Sequence, residues 1–404
     1  MSAPRRGATV RAAAVLASVL CFPAGRAAAQ PCPPNFRVAA TVGTAGATVL
    51  GAFDFDRDGR VDLLLRADGA VRVARNAGGS FLLGSPISTG SVAVGDFDGD
   101  GILDVVAVQG AGSASTVFFF RGDGHAGFAA VSSFPAAASL SDVVAGDFDG
   151  DGKLDLAVWA GGSDVWIYRG DGHGAFGPPY VLHTSASSVS RLATLDVDSN
   201  GRADLLVSGS AGFGSTFIAT YALGAGGIFV ATTGPDAGGN QCPFDLAIGD
   251  VDGDGHPDAV TVQRYLGGCP NEIRTFLVRP GTPAQLRQPA TSLWSPVLAD
   301  FDGDGHMDLA AVQGSLYGVP TALAVQPGDG SGAFGSEIVF ALPDGVVRET
   351  AALTAADLDG DGRPDLVLSG SPALPALVLL NVCGNPHEVA APGPALPVRV
   401  RTRP

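Results

Sequence analysis

Glutamate is scarce in this chain. Of 40 acidic residues only four are Glu (Glu272, Glu337, Glu349 and Glu388), which leaves 36 Asp. A protein that is acidic for solubility alone mixes the two, so the bias points to a task that needs the short carboxylate. Basic residues are outnumbered 24 to 40, for a formal net charge of -16. No stretch holds the Lys/Arg excess that would neutralise phosphates, which excludes a nucleic-acid surface. Beyond the amino terminus no apolar run approaches the ~20 residues of a membrane helix. Helical periodicity is missing between the apolar segments, and the 58 Gly follow no three-residue period. Trp and Tyr number only three and five. There is no Gly-x-Ser-x-Gly elbow and no carboxylate pair with an argument for glycoside chemistry. What remains is apolar: hydrophobic residues make up 46%, too many for a disordered acidic tail.

The amino terminus reads as an address. Arg5, Arg6 and Arg11 precede the apolar stretch 12–22, and Ala27-Ala28-Ala29 offers a small-residue cleavage site before Gln30. Residues 1–29 are therefore expected to be a signal peptide, and the mature chain a soluble secreted, extracellular or periplasmic protein without membrane insertion. Cys21 follows the large Leu20, which argues against a lipid-anchored cysteine. The mature chain keeps Cys32, Cys242, Cys269 and Cys383, for which three complete pairings exist.

A nine-residue element, D-x-D-x-D/N-G-x-x-D, occurs seven times, starting at Asp54, Asp96, Asp147, Asp196, Asp250, Asp300 and Asp357. The starts are 42, 51, 49, 54, 50 and 57 residues apart, and 27 of the 36 Asp fall at positions one, three, five and nine. Carboxylates at one, three and five of a tight loop converge on one point. A backbone carbonyl at seven and the carboxylate at nine complete an all-oxygen shell of the calcium kind, with Gly at six for the turn. The expected ligands are Asp54, Asp56, Asp58, Arg60 and Asp62 in the first loop, and Asp96, Asp98, Asp100, Ile102 and Asp104 in the second. Asp147, Asp149, Asp151, Lys153 and Asp155 follow, then Asp196, Asp198, Asn200, Arg202 and Asp204. The fifth set is Asp250, Asp252, Asp254, His256 and Asp258; the sixth is Asp300, Asp302, Asp304, His306 and Asp308. Asp357, Asp359, Asp361, Arg363 and Asp365 form the last. The residue at seven contributes its carbonyl only, so His256 and His306 are not side-chain ligands and zinc is disfavoured. Position twelve is Leu65, Ala107, Val158, Val207, Thr261, Ala311 or Leu368, never the bidentate Glu of an EF-hand. About seven Ca2+ ions, one per unit, are expected.

The flanks of each loop are β-branched and apolar, as in SVAVG before and LDVVAV after the second copy, and read as strands. Each unit of about fifty residues holds four strands, with Gly/Asp turns such as RGDGHAGF (121–128) and RGDGHGAF (169–176) between the third and fourth. Four strands per repeat without helices is the signature of a propeller blade. The expected fold is all-β, a seven-bladed β-propeller over 32–384 followed by a Pro-rich tail at 385–404. The seventh unit lacks a fourth strand, and PNFRVAAT (34–41) precedes the first strand of unit one. The amino-terminal strand should therefore complete the last blade. Cys32 and Cys383 would then stand on the two halves of the interrupted turn, so a Cys32–Cys383 disulfide is expected; Cys242 and Cys269 flank one end of a strand pair and are expected to form the second.

These units resemble FG-GAP/VCBS repeats, the blades of integrin α-subunit propellers and of many secreted bacterial proteins, through the Asp loops, VxxGDFDGDGxxDLAV and the Gly-Asp-Gly…Phe turns. The resemblance implies calcium in the loop between the first and second strands. It also implies a partner-binding face opposite, here the loops 108–116, 208–216 and 263–275. Seven-bladed fungal lectins are similar too, with sugar sites built from aromatics and polar groups between blades, but no residue here matches those pockets one by one. Separately, Trp159 and Trp166 bracket a loop and Tyr265 and Tyr317 lie in second-to-third strand loops, where an exposed aromatic can stack on a sugar or anchor a peptide; inter-blade packing is their alternative role. The expected function is a monomeric, secreted adhesion module that binds an extracellular glycan or protein. A calcium-stiffened scaffold and a polysaccharide lyase or hydrolase are the alternatives. Both Arg-Gly-Asp tripeptides (121–123 and 169–171) fall in the repeat's own turn, which accounts for them without adhesion.

Overall fold

A computed structural model describes residues 32–401 apart from 112–113, 137–138, 199, 211–215, 225–228, 234–243, 264–269, 278–283, 315–319, 343–351, 372–373 and 384–397. The expected signal peptide, the Cys242–Cys269 pair, Tyr265 and Tyr317 lie outside the described residues. Among those described, every element is a strand, and no helix is long and apolar enough to cross a membrane.

The strands form seven antiparallel sheets in a ring. Blade 1 consists of Thr48–Phe53, Asp62–Ala67, Ala70–Asn76 and Phe81–Leu83. Blade 2 consists of Ser91–Gly95, Asp104–Ala111, Ala114–Gly122 and Phe128–Ala136. Blade 3 consists of Val143–Gly146, Asp155–Trp159, Asp164–Tyr168 and Tyr180–His183. The innermost strands of blades 4 to 7 are Ser188–Leu195, Phe244–Gly249, Leu293–Ala299 and Ala352–Ala356. Second strands are apolar at successive residues, such as Leu63-Leu64-Leu65 and Val105-Val106-Ala107, because a blade on either side buries both of their faces. Among fourth strands, Phe128–Ala136 is exposed over most of its length, whereas Glu337–Ala341 is largely buried.

The core sits in the seams. Phe97, Val106, Val117 and Phe119 of blade 2 pack against Val143, Leu156, Val158 and Tyr168 of blade 3. Each large apolar side chain so buried stabilises the ring by roughly 1.5–3 kcal/mol. Position two of each acidic loop anchors there: Phe55, Phe97, Phe148, Val251, Phe301 and Leu358 are all buried. The loops are thus pinned at seams by an apolar side chain placed between two carboxylates.

The ring closes as the sequence predicts. Phe36–Val42 pairs with Ala376–Asn381 and becomes the fourth strand of blade 7. A Cys32–Cys383 disulfide ties the break, with Cα atoms 6.0 Å apart. The gap keeps the backbone bond of an intact turn, and its asparagine again accepts from the turn. Val382 N–H donates to Asn35 O at 2.8 Å, as Ala77 N–H donates to Ser80 O at 2.8 Å in blade 1. Asn381 Oδ1 accepts Asn35 N–H, as Asn76 Oδ1 accepts Gly78 N–H.

The carboxy-terminal segment departs from the expected tail. Val398–Arg401 forms a fifth strand on blade 6, pairing Glu337 with Arg401 and Phe340 with Val398. A four-residue VRVR segment after a Pro-rich stretch carries too little pattern to be assigned as a strand. Its partner, an outer sheet edge with unpaired backbone groups, is a tertiary feature.

Candidate metal centres

Each acidic loop joins the first strand of its blade to the second, and its polar groups follow one scheme. The position-one carboxylate folds the loop around itself: Asp96 Oδ1 accepts the N–H of Gly99 at 2.7 Å and of Asp100 at 3.1 Å, and Oδ2 that of Gly101 at 2.9 Å. Position five accepts the N–H of position seven in all seven copies, Ile102 to Asp100 at 2.8 Å for example. Asn200 does this with its amide oxygen, 2.8 Å from Arg202 N, which explains why Asn is tolerated there. Position six requires glycine: φ runs from 79° at Gly101 to 93° at Gly305, where a β-carbon is strained. Position four is also left-handed, and Arg57, at φ 60°, stands where five other copies have Gly.

Position nine is the hub. One oxygen accepts the position-two N–H in every copy, from 2.8 Å at Asp308 and Asp365 to 3.1 Å at Asp155 and Asp258. The other oxygen accepts an N–H from the end of the third strand in five copies: Asn76 to Asp62, Gly122 to Asp104, Gly170 to Asp155, Gly328 to Asp308 and Asn381 to Asp365. Burial, with added repulsion from neighbouring loop carboxylates, pushes Asp62, Asp104, Asp155 and Asp204 up to about 6 and Asp308 up to about 7. At neutral pH Asp62, Asp104, Asp155 and Asp204 carry their charge against the tendency of their site, and Asp308 sits near its midpoint.

In each of five loops, three motif carboxylates come together. One oxygen from each of Asp54, Asp56 and Asp58 lies within 4.8 Å of the others, and the same holds for Asp96, Asp98 and Asp104, for Asp147, Asp149 and Asp155, for Asp196, Asp198 and Asp204, and for Asp250, Asp252 and Asp254. Asp54 Oδ1 is buried and has no hydrogen-bond partner. An orphaned carboxylate oxygen beside two further carboxylates has the donor chemistry of a hard divalent cation site. The Arg60 and His306 side chains turn away over their own third-to-fourth turns: a β-carbon at Gly78 would meet Arg60 Nη1 at 2.8 Å, and one at Gly330 would meet His306 at 2.5 Å. Arg202 instead lies against Gly150 in the loop of blade 3.

The loops also clasp neighbouring blades. The position-two carbonyls Phe97 O, Phe301 O and Leu358 O accept from Gly174 N, Asn381 Nδ2 and Asn76 Nδ2 of the next blade's turn, at 3.0, 2.7 and 2.7 Å. Three loops, in addition, are crossed by a guanidinium from the third strand, at the residue opposite position nine. Arg121 reaches Asp98 and Asp100, each at 2.7 Å. Arg169 lies 3.3 Å from Asp149, and Arg75 lies 3.4 Å from Asp56. Both Arg-Gly-Asp tripeptides are thereby accounted for, since Asp123 and Asp171 accept the turn's own N–H groups.

The opposite face holds groups that spacing did not reveal. Five residues before each loop, on the innermost strand, stand Val49, Ser91, Asp142, Arg191, Asp245, Ser295 and Ala352. Asp142 accepts Leu192 N–H of blade 4 at 3.1 Å, and Asp245 accepts Ser295 N–H of blade 6 at 3.0 Å. Arg191 lies 3.9 Å from Asp245, and Ser91 hydroxyl donates to Ser141 O. Burial raises Asp142 to about 6. Nearby, His183 Nδ1 lies 2.8 Å from Asp164 on the rim of blade 3. Aligning the innermost strands on their loops would have exposed the first set; the His183–Asp164 contact depends on strand pairing. Trp159 and Trp166 pack into the seams on either side of blade 3, and Trp294 is buried, so packing is their main role.

Seven four-stranded blades with a carboxylate loop in each define a β-propeller built from acidic-loop repeats. The chain belongs to the FG-GAP-like repeat family, whose pattern matches residues 54–107, 96–158, 156–207 and 300–368, more than half of the sequence. No curated protein matches the chain.

Proposed function

We propose that the chain is a secreted binding module, a ring whose blades are each locked by a calcium ion and whose opposite face engages an extracellular glycan or protein. The observation that carries this is the convergence of carboxylates in successive blades, with Asp54 Oδ1 left unsatisfied. Positions one, three, five and nine and the carbonyl at seven would hold the ion, from Asp54 to Asp62 in the first loop and correspondingly in the others. Calcium supplies charge compensation: seven ions would bring the formal -16 to -2. Because the same loops clasp neighbouring blades, that compensation acts on the ring as a whole. FG-GAP propellers often mediate binding or adhesion. The Cys32–Cys383 disulfide suits an oxidising compartment, in line with the leader-like residues 1–29.

Two measurements test this. Chelation should lower the melting midpoint by roughly ten degrees or more, since each ion bound only to the folded state contributes RT ln(1 + [L]/Kd). Glycan and extracellular-protein arrays, probed with and without EDTA, should show retention that depends on calcium. A melting curve indifferent to chelator would defeat the metal assignment, and release of unsaturated sugars would turn the conclusion to a lyase.

A further inference from the structure

The seven loops are built alike, but their surroundings are not. On the third strand, the residue opposite position nine is Arg75, Arg121 and Arg169 in blades 1 to 3, and Ala222, Leu277, Pro327 and Leu380 in blades 4 to 7. The three guanidinium groups lie against loop carboxylates of their own blades, and Arg121 bridges positions three and five. Lys153 adds a contact of 3.2 Å to Asp151 in the third loop. The fifth and sixth loops, DVDGDGHPD and DFDGDGHMD, contain no Arg or Lys. The fourth and seventh carry one Arg each at position seven, and Arg363 Nε lies 4.0 Å from Asp361.

We propose that the loops of blades 1 to 3 hold calcium weakly and exchangeably, because each carries a resident guanidinium, whereas the loops of blades 5 and 6 retain it. The inference rests on the calcium assignment made above. Affinity in such loops is set by the net charge of the ligand set. One positive charge about 6 Å from a divalent ion, in water, weakens its binding by about tenfold. The Arg121 guanidinium also takes over part of the ion's task, since it holds the Asp98 and Asp100 carboxylates together when the cation has left. Falling calcium would therefore empty one continuous arc of the ring first and leave its loops in shape. Loops 4 and 7 fall between the two classes.

Release kinetics from the calcium-loaded full chain into a fluorescent chelator provide the test. The expected trace has a fast phase carrying about three sites and slower phases for the rest. Arg121→Met should move one site out of the fast phase, with release slowed about tenfold; Arg121→Lys should leave it there. Pro327→Arg offers the reverse change, moving a slow site into the fast phase, and holds the test open if Arg121→Met does not fold. A single phase for all sites, or rates indifferent to both Arg121→Met and Pro327→Arg, would overturn the division into classes while leaving the calcium assignment intact. A chain that retains no calcium after dialysis would overturn both.

Discussion

The two faces of the ring obey different rules. On the loop face the same bond recurs in every blade: the N–H of position two meets the carboxylate of position nine at 2.8–3.1 Å in all seven copies. On the opposite face the residue five before each loop changes from Val49 to Ser91, Asp142, Arg191, Asp245, Ser295 and Ala352. Repetition marks what every blade needs in order to fold. Variation marks places that contribute to one seam only, where a ligand could tell one blade from another. The loop face is therefore where substitutions should cost most, and the opposite face is where they should alter behaviour without unfolding the ring.

The sharpest challenge to this contrast is Asp104→Ala. It removes the acceptor for Phe97 N–H and Gly122 N–H, two buried donors, and should destabilise the protein by roughly 3–5 kcal/mol in urea denaturation. A loss below 1 kcal/mol would show that the hub is dispensable. Next comes the one discontinuity of the loop face. Cys383→Ser opens the Cys32–Cys383 link and should cost roughly 2–5 kcal/mol, with hydrogen exchange rising first in Phe36–Val42. Uniform exchange across all blades would contradict a closure held at that point.

On the varied face, Asp142→Asn tests a single seam through its pH dependence. The Asp142 carboxyl is raised from 3.8 to about 6 by burial, so the folded state holds the proton more tightly than the unfolded state. The stability this provides is fully present below about pH 4 and is lost as pH rises through about 6. Relative to Asp142→Asn, the native protein should lose about 1–2 kcal/mol between pH 5 and 7. Parallel pH profiles for the two proteins would refute the assignment. The smallest expected effect is a gain. Arg57 occupies a left-handed position that is glycine in five other loops, and Arg57→Gly should stabilise the chain by about 1 kcal/mol. A loss would mean that the Arg57 side chain makes contacts worth more than its strain.

Much of this architecture was legible because the repeat speaks seven times. The spare strand expected within PNFRVAAT (34–41) lies at Phe36–Val42. The missing fourth strand of the last unit, set beside the spare strand at the start, led to both the closure and the Cys32–Cys383 link. The loops were legible as clusters of carboxylates, but the double duty of position nine was not. Its second oxygen is engaged by the third strand, fourteen to twenty residues further on, and spacing within the loop carries no trace of that bond. Asp142, Arg191 and Asp245 lie outside the motif at a shared offset, five residues before their loops, but which groups they meet across a seam depends on the fold. The Val398–Arg401 strand was missed because its partner edge lies some sixty residues away in sequence.

That terminal strand and the disulfide together decide how the ring would bear a pull on its carboxy terminus. Force would first strip Val398–Arg401 from Glu337–Phe340, a short antiparallel pair that parts one rung at a time. The load would next arrive at Cys383 and cross directly to Cys32, a covalent bond instead of a sheet. The chain between these two cysteines, all seven blades of it, forms a loop outside the line of tension. The propeller is thus mechanically in parallel with its own clasp, and a tether at this end would transmit force without drawing the blades apart.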